Sequence, residues 1–290
     1  MELDKHTSIL NSKVAIVTGG ARGIGKAIAT EFVRNGAKVV IVSRTRQQIN
    51  RTTAELQNMG GDVLGVVADV SDLVDVKRFI ERTISTFGII DILVNCAAIQ
   101  EPIGPFIDTS IEQWEANIRI NLLGTVMSCK AILPVMVKNG RGKIINLSGG
   151  GATSPRPYFS AYAAAKTAIV RFTETLALEV ETYNIDINAI APGAVNTQMT
   201  REILAAKKRA GKVEFLQAMR VSRNGGVSIK LAAELAVFLA SDASNGITGR
   251  LLSAIWDDWQ SLGEDTEQIM DPRMFTLRRI DGKNFVQNTL

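Results

Sequence analysis

The sequence predicts a doubly wound α/β fold, with a parallel sheet of about seven strands covered by helices on both faces. Runs rich in Val and Ile alternate with segments of helical periodicity along most of the 290 residues. A glycine-rich turn joins the first apolar run to the first helical segment. Nearly continuous apolar strands are typical of parallel sheets buried on both faces. Their alternation with helices implies right-handed crossovers and a Rossmann-like sheet.

The predicted elements follow one another in a regular order. The strands are residues 13–18, 37–42, 62–67, 90–95, 142–148, 185–191 and 249–255. The helical segments are residues 23–35, 45–59, 72–87, 111–138, 158–182 and 228–240. Two stretches, 194–226 and 256–290, interrupt the alternation. Because ligands of such sheets lie beyond the carboxyl ends of the strands, we expect both stretches to shape a substrate pocket.

The composition favours one compact domain that binds neither membranes nor nucleic acid. Hydrophobic residues make up 46% of the chain and charged residues 21%, which suits a single sizeable core. We find no apolar run of about 18 residues and therefore predict no membrane span. The net charge is only +4, and two basic clusters lack the density and aromatic interleaving of a nucleic-acid site. These clusters are Arg44, Arg46 and Arg51, and Arg273, Arg278, Arg279 and Lys283.

The cysteine and histidine content limits the chemistry that is available. Cys96 and Cys129 do not form a disulfide framework, so we expect a reducing, cytoplasmic location. His6 is the single histidine, and it lies in the polar segment 1–12, which we expect to be flexible. These counts argue against histidine-based triads and histidine-rich metal sites, and we predict no metal.

The glycine-rich turn predicts a nucleotide site. Residues Thr18–Gly25 read TGGARGIG and follow the apolar run Val14–Val17. Glycine allows the backbone to turn sharply and to approach a ligand closely. The N-terminus of the following helix presents unpaired amides and a positive dipole end, which favour a pyrophosphate. We therefore expect cofactor contacts from the turn at Gly19, Arg22, Gly23, Ile24 and Gly25.

The end of the second strand favours NADP(H), with NAD(H) as the alternative. NAD-binding proteins usually place Asp or Glu there to accept hydrogen bonds from the ribose hydroxyls. This chain has Ser43 followed by Arg44, with Arg22 in the glycine turn. Arginine attracts the additional phosphate of NADP, which a carboxylate would repel. In the competing interpretation, Arg44 and Arg46 simply begin a solvated helix.

Two further strand ends are candidates for cofactor contact. Asp69 and Val70 close the third strand and are placed to meet the adenine edge. Asn95 closes the fourth, and the small Ala97 leaves room for a ribose. Asn95 has an equally good structural interpretation, as a buried side chain that ties neighbouring strands together.

Tyr162 and Lys166 form a candidate acid/base pair. Their i,i+4 spacing in a helical segment puts both side chains on one face. A free phenol, with a pKa of about 10, is a poor base at neutral pH. A nearby ammonium group favours the phenolate and lowers that pKa, so the pair is suited to moving a proton on a carbinol or carbonyl oxygen.

The order and spacing of these motifs resemble the short-chain dehydrogenase/reductase family over residues 13 to about 255. The matching residues are Thr18–Gly25, Asp69, Val70, Asn95–Ala98, Asn121, Tyr162, Lys166, Pro192, Gly193 and Thr197.

The resemblance implies specific roles. Tyr162 would be the acid/base, and Lys166 would lower its pKa and hold the nicotinamide ribose. Asn121 would position a water in a proton relay. It also implies a homodimer or homotetramer with helices 111–138 and 158–182 at the contact. The segment expected to hold the nicotinamide carboxamide comprises Pro192, Gly193, Val195 and Thr197.

One departure from the family pattern concerns the residue that contacts the substrate oxygen. The usual serine position falls on Gly149, and Ser148 lies one residue early. Neighbouring side chains of a strand face opposite ways, but three glycines at 149–151 would let the strand end twist. We expect Ser148 to turn inward and replace the missing hydroxyl. Otherwise Ser154 or Ser160 substitutes, or the site is impaired.

These observations predict a single catalytic, dinucleotide-binding domain over residues 13–255 and a C-terminal extension over 256–290. The predicted function is an NADP(H)-dependent interconversion of a secondary alcohol and a ketone, acting on a small molecule. The alternative, motivated by Gly149, is a dinucleotide-binding protein with weak or no catalysis. Trp256 and Trp259 would line the pocket, form a subunit contact or simply pack as large apolar groups.

Overall fold

A computed structural model of the chain describes residues 8–262, 271 and 273–280. His6 and Lys283 lie outside the described residues. Residues 8–12 pack onto the domain, because Leu10 is fully buried and its backbone N–H donates to the carbonyl of Asn35 at 3.0 Å. The folded domain therefore begins earlier than residue 13.

Seven parallel strands form one sheet in the described part of the chain, in the order β3-β2-β1-β4-β5-β6-β7. This confirms the predicted fold class. The strands are β1 (Val14–Thr18), β2 (Lys38–Ser43), β3 (Val63–Val67), β4 (Ile92–Asn95), β5 (Gly142–Leu147), β6 (Ile185–Ala191) and β7 (Leu251–Ser253). The strand order reverses at β1, which lies between β2 and β4. A ligand crevice is expected at the carboxyl ends of β1 and β4, where Thr18 lies beside Asn95.

The α-helices cover both faces of this sheet. They are α1 (Gly23–Arg34), α2 (Arg46–Asn58), α3 (Leu73–Phe87), α4 (Ile111–Ile118), α5 (Gly124–Asn139), α6 (Ser160–Glu179), α7 (Gln198–Ala206), α8 (Lys212–Asn224) and α9 (Ile229–Ala240). The segment predicted as one helix over 111–138 contains a π-helical turn, Arg119–Leu123, between α4 and α5. The stretch 194–226, for which no helix was predicted, contains α7 and α8.

The core lies in two layers, one on each face of the sheet. Along β1, Ala15 and Val17 pack toward the layer that contains α1 and α9. Ile16 packs toward the opposite layer, which contains α3 and α5. Because both faces are covered, every residue of β1 is buried, and this is the reason for its uninterrupted apolar sequence.

The helical stretch Ile111–Asn139 is long and apolar enough to cross a membrane by length and composition alone. In the described structure it packs within the domain, where α5 contacts α3, β4 and β5 and α4 contacts α6. The core helix of a soluble protein can meet the same criterion.

The chain beyond β7 returns along the sheet edge. The N–H of Leu251 in β7 donates to the carbonyl of Phe275 at 2.7 Å, and the N–H of Leu277 donates to Glu174 Oε1 at 2.6 Å. Trp259 is buried, with its ring centroid 5.7 Å from that of Phe238, so it packs in the core. Trp256 is 85% exposed.

Candidate active site

The glycine turn between β1 and α1 is built for close backbone approach. Gly19 has φ +66°, and a Cβ there would lie 2.9 Å from the backbone of Ala97. A Cβ on Gly25 would overlap the carbonyl oxygen of Gly19. The side chain of the N-cap residue Arg22 does not cap α1. These features fit a bound pyrophosphate.

Thr18 holds the turn against the end of β4. Its Oγ1 accepts hydrogen bonds from the N–H groups of Cys96 and Ala97, at 3.0 and 3.2 Å. It donates to the carbonyl of Val94 at 3.3 Å. Sequence reasoning recognised Thr18 only as part of the glycine motif, and not as the group that joins the two strand ends.

A basic cavity of about 600 Å³ opens at the ends of β2 and β3. Arg44 Nη1 lies 3.7 Å from Asp69 Oδ2, and the Arg44 side chain is 57% exposed. Arg46 begins α2, as the competing interpretation expected, yet it also lines this cavity together with Arg78. Burial raises the pKa of Asp69, but hydrogen bonds from Ser71 and the charge of Arg44 outweigh it and hold the pKa below its usual value. Asp69 is therefore an anionic acceptor at this strand end.

Val70 and Asn95 are both buried. Val70 packs against α5, where a Cβ on Gly124 would lie 2.9 Å from Val70 Cγ2. The Asn95 amide donates to Asn146 Oδ1 at 2.9 Å and contacts Cys129 Sγ at 3.4 Å. The side chain of Asn95 thus ties β4 to β5, as its structural interpretation predicted, and its contact with a cofactor stays a prediction.

Tyr162 and Lys166 lie one turn apart on α6 and are both buried. Lys166 Nζ donates to the carbonyl of Leu147 at 2.6 Å and lies 5.6 Å from the centroid of the Tyr162 ring. Burial lowers the pKa of Lys166 to about 8, although the nearby Cys96 opposes this shift. The two side chains share one dry environment at the end of β5.

The charge environment of Tyr162 differs from the prediction. Burial raises the pKa of the Tyr162 phenol, and the charge that opposes this rise comes from Arg156. Lys166 was expected to lower the pKa of Tyr162. Its ammonium group instead donates to the carbonyl of Leu147. The guanidinium carbon of Arg156 lies 5.4 Å from the Tyr162 ring centroid.

Asn121 lies in the π-helical turn and is fully buried. Its amide donates to the carbonyl of Ile99 at 2.8 Å and to Asn117 Oδ1 at 2.7 Å, and its Oδ1 accepts from the N–H of Ile99 at 2.9 Å. These bonds fix the chain that leaves β4. The water relay that the family resemblance implies for Asn121 stays a prediction.

The expectation for Ser148 is wrong. The Ser148 hydroxyl donates to the carbonyl of Lys166 at 3.3 Å and is buried against α6. Position 149 faces the reacting side chain instead, because a Cβ on Gly149 would lie 2.8 Å from the Tyr162 hydroxyl. The strand alternation continues through residue 149, so the glycines do not turn Ser148 inward.

The two other candidate serines do not face Tyr162 in an equivalent way. Ser160 Oγ lies 3.3 Å from the indole nitrogen of Trp114, whose N–H donates to it. Ser154 is exposed at the rim of the main cavity.

The main cavity has a volume of about 740 Å³ and lies over Tyr162. As expected, the stretch 194–226 and residues after 255 contribute to its walls. Thr197 caps α7, and its backbone N–H donates to Thr200 Oγ1 at 3.3 Å. Residues on the walls include Ile24, Gly149, Tyr162, Pro192, Gly193, Val195, Thr197, Trp256 and Phe275.

Sequence reasoning missed a charged pair in this cavity. Arg156 Nη2 donates to Glu214 Oε2 at 2.7 Å, and the two side chains are only 14% and 20% exposed. Gln100 and Asp257 also line the cavity and were not singled out. The sequence offered little indication that Arg156 would be paired, because its partner Glu214 lies 58 residues further along the chain.

A parallel sheet with a glycine turn at its switch point, and a buried Tyr–Lys pair beside the main cavity, defines a dinucleotide-dependent oxidoreductase. The family model described as short chain dehydrogenase matches residues 13–208. The chain therefore belongs to the short-chain dehydrogenase family, whose members bind a nicotinamide dinucleotide and act on small molecules.

Individual relatives agree with this assignment. The chain is 35% identical over 240 residues to dehydrogenase/reductase SDR family member 4 of Sus scrofa, with 83% of this chain and 85% of the relative covered. It is similar to the crystal structure of levodione reductase, with TM-score 0.77, 28% identity and coverage of 84% and 96%. It is also similar to NAD+-bound xylitol dehydrogenase, with TM-score 0.78, 28% identity and coverage of 84% and 98%.

Proposed function

We propose that this protein is an NADP(H)-dependent oxidoreductase that interconverts a secondary alcohol and a ketone. The observation that carries the proposal is the buried Tyr162–Lys166 pair next to the glycine turn, in which Tyr162 lines a cavity of about 740 Å³. Retention of both residues supports a catalytic protein over one that only binds a dinucleotide. A panel of carbonyl compounds, with NADPH oxidation followed optically, tests this. A broad panel without turnover would contradict it.

The residues at the carboxyl ends of the strands fit a nicotinamide dinucleotide. At Gly19 and Gly25, neighbouring backbone atoms occupy the space that a Cβ would need. Only glycine therefore allows this tight turn, and a tight glycine turn before a helix is typical of a pyrophosphate site. Pro192 and Thr197 line the main cavity, where they would hold the carboxamide end. When bound, the nicotinamide supplies or accepts the hydride.

The protein's own residues manage the proton. In the reductive direction Tyr162 gives its phenolic proton to the substrate oxygen, and in the oxidative direction the phenolate accepts it. Lys166 keeps a positive charge near the phenol and, as the family resemblance implies, would hold the nicotinamide ribose. Tyr162 and Lys166 are both buried, and charge interactions are stronger in such an environment than in water.

The two reaction directions are expected to respond oppositely to pH. Oxidation needs the phenolate of Tyr162, whose pKa burial raises. Below that pKa, kcat/KM for alcohol oxidation should therefore rise about tenfold per pH unit. Reduction uses the protonated phenol, so its kcat/KM should stay level and then fall as the pH passes the same pKa. Rates in both directions across neutral and alkaline pH check this, and an oxidation rate independent of pH would contradict it.

Arg44→Asp is expected to reverse the cofactor preference. The substitution removes a cation from the end of β2 and puts a carboxylate there, which repels a ribose phosphate and accepts from ribose hydroxyls. We expect NADPH affinity to fall by about 10- to 100-fold, as for loss of a charge-assisted hydrogen bond. Binding titrations with NADPH and NADH measure the ratio.

The matched control for this experiment is Arg51→Asp. It makes the same change of charge on α2, at a side chain that is 79% exposed and paired with Glu55. An unchanged NADPH-to-NADH ratio in Arg44→Asp would show that Arg44 does not contact the phosphate.

We also propose a cytoplasmic homodimer or homotetramer. Large apolar side chains are exposed on α4, the π turn, α5 and α6, and burying such a surface favours association. They are Ile111, Leu123, Val137 and Leu178.

A further inference from the structure

Arg156 occupies an unusual place for a charged side chain. It lies in the loop between β5 and α6 and is only 14% exposed. Its guanidinium carbon is 4.0 Å from the centroid of the Phe159 ring and 5.4 Å from that of Tyr162. Removing a guanidinium from water is costly unless it is paired, and Glu214 Oε2 on α8 supplies that pair at 2.7 Å.

The glycines before Arg156 make this arrangement possible. Gly151 has φ +97°, and a Cβ there would lie 2.9 Å from Ala163 and 3.2 Å from Arg156 Cβ. At Gly150 a Cβ would approach Arg156 Cδ to 4.0 Å. The stem of Arg156 thus passes over the glycine run, and its head reaches the cavity that Tyr162 and Glu214 line.

Among the described residues, the position that faces the Tyr162 hydroxyl, residue 149, offers no hydroxyl to a substrate oxygen. Gly149 has no side chain, and Ser148 is turned onto the Lys166 carbonyl. Gln100, another large donor in the cavity wall, is engaged with the carbonyl of Met199 and with Glu202. Gln217 and Trp256 also line the cavity, but both side chains are exposed to solvent. A guanidinium has five N–H groups, and Glu214 is the partner of one of its nitrogens, Nη2.

We propose that Arg156 orients the substrate, donating a hydrogen bond from its guanidinium to the oxygen of the reacting carbonyl or carbinol while Glu214 holds it in place. This proposal rests on the proposed function. In the reductive direction the C=O bond becomes C–O as hydride joins the carbon, and the oxygen gains negative charge. Arg156 stabilises that charge and keeps all its protons. The proton that completes the alcohol comes from Tyr162.

The competing interpretation is that the ion pair only fastens α8 to the loop. Arg156→Gln and Glu214→Gln both break the pair, but only the first removes the cation beside Tyr162. A fastening role predicts equal effects of the two variants, and a substrate-orienting role predicts unequal ones.

The pH profile adds a readout that a purely structural role would not move. The groups that act on the Tyr162 phenol are Arg156 from the loop and the Cys96 thiol after β4. Lys166 lies beside it on α6, and Glu214 and Asp257 also line the cavity. Of these, Arg156 is the cation that opposes the rise in the pKa of Tyr162, so its removal moves the profile of alcohol oxidation to higher pH.

The experiment measures kcat, KM and the pH profile of the full-length protein with a carbonyl compound that the panel identifies, and NADPH affinity by fluorescence. We expect Arg156→Gln to lower kcat by about 100-fold, as for loss of one oxyanion donor, and to shift the oxidation profile upward. Glu214→Gln should lower kcat by less than about tenfold, without that shift. Arg156→Lys keeps the charge and should keep the profile, and it serves as the second variant if Arg156→Gln does not fold.

Equal losses in Arg156→Gln and Glu214→Gln, with unchanged pH profiles, would overturn the proposal. Failure of the proposed function is seen separately, as wild-type protein that binds NADPH but turns over no carbonyl compound, and it would remove the basis for this role of Arg156.

Discussion

Tyr162→Phe is expected to lower kcat by about 10²- to 10⁴-fold, the range for loss of a general acid/base. The substitution removes one hydroxyl and keeps the ring that packs beside Phe159 and Ile203. Because the glycine turn and the strand ends are untouched, NADPH affinity should change little. Steady-state kinetics and a fluorescence titration of NADPH on the same preparation measure the two quantities together.

Tyr183→Phe is the matched control for this loss. It makes the same chemical change after the far end of α6, on a side chain that is 45% exposed. Wild-type turnover in Tyr183→Phe and lost turnover in Tyr162→Phe are expected. Undiminished activity in Tyr162→Phe would dismiss this phenol as the proton donor.

Gly149→Ala is expected to lower kcat by about 100-fold through displacement of the Tyr162 hydroxyl. The added Cβ would lie 2.8 Å from that hydroxyl oxygen, closer than the two atoms tolerate. One of them has to move, and a shift of about 1 Å at a reacting group has this cost. Single-turnover kinetics with saturating NADPH isolate the chemical step from cofactor binding.

Gly150→Ala is the control for Gly149→Ala. It distinguishes a steric clash with the Tyr162 hydroxyl from a loss of backbone flexibility in residues 149–151. A Cβ at 150 would meet Arg156 Cδ at 4.0 Å, an ordinary van der Waals distance. We expect kcat of Gly150→Ala within about threefold of wild type, because no contact is forced. If both variants lose activity equally, the run needs its flexibility and the close approach at Gly149 is not the cause.

Most of the fold could be predicted because its signals are local. A buried parallel strand needs continuous apolar residues, and β1 and β2 show them plainly. The π turn at 119–123 was missed since its hydrogen-bond shift leaves the apolar pattern of a helix almost unchanged. β7 is shorter than predicted, and Gly249 with φ +70° precedes it.

Only part of the geometry of the candidate site could be predicted. Tyr162 and Lys166 share a face because four residues make about one turn of any α-helix. The sequence also indicated two possible roles for Asn95, a cofactor contact or a link between strands. The register of β4 against β5 places Asn95 beside Asn146, to which it donates a hydrogen bond. Nothing local indicated that the alternation of the strand would continue through Gly149, the first of the three glycines, so the side that Ser148 faces was predicted wrongly.

The sequence by itself determined the alternation of strands and helices, the glycine turn at the end of β1 and the spacing of Tyr162 and Lys166, because each depends on neighbouring residues only. Only the tertiary structure decided that Gly149 meets the Tyr162 hydroxyl and that Arg156 pairs with Glu214 across 58 residues. The physical reason is that burial and charge at a site arise where distant segments pack together, and periodicity along the chain carries no record of which segments meet.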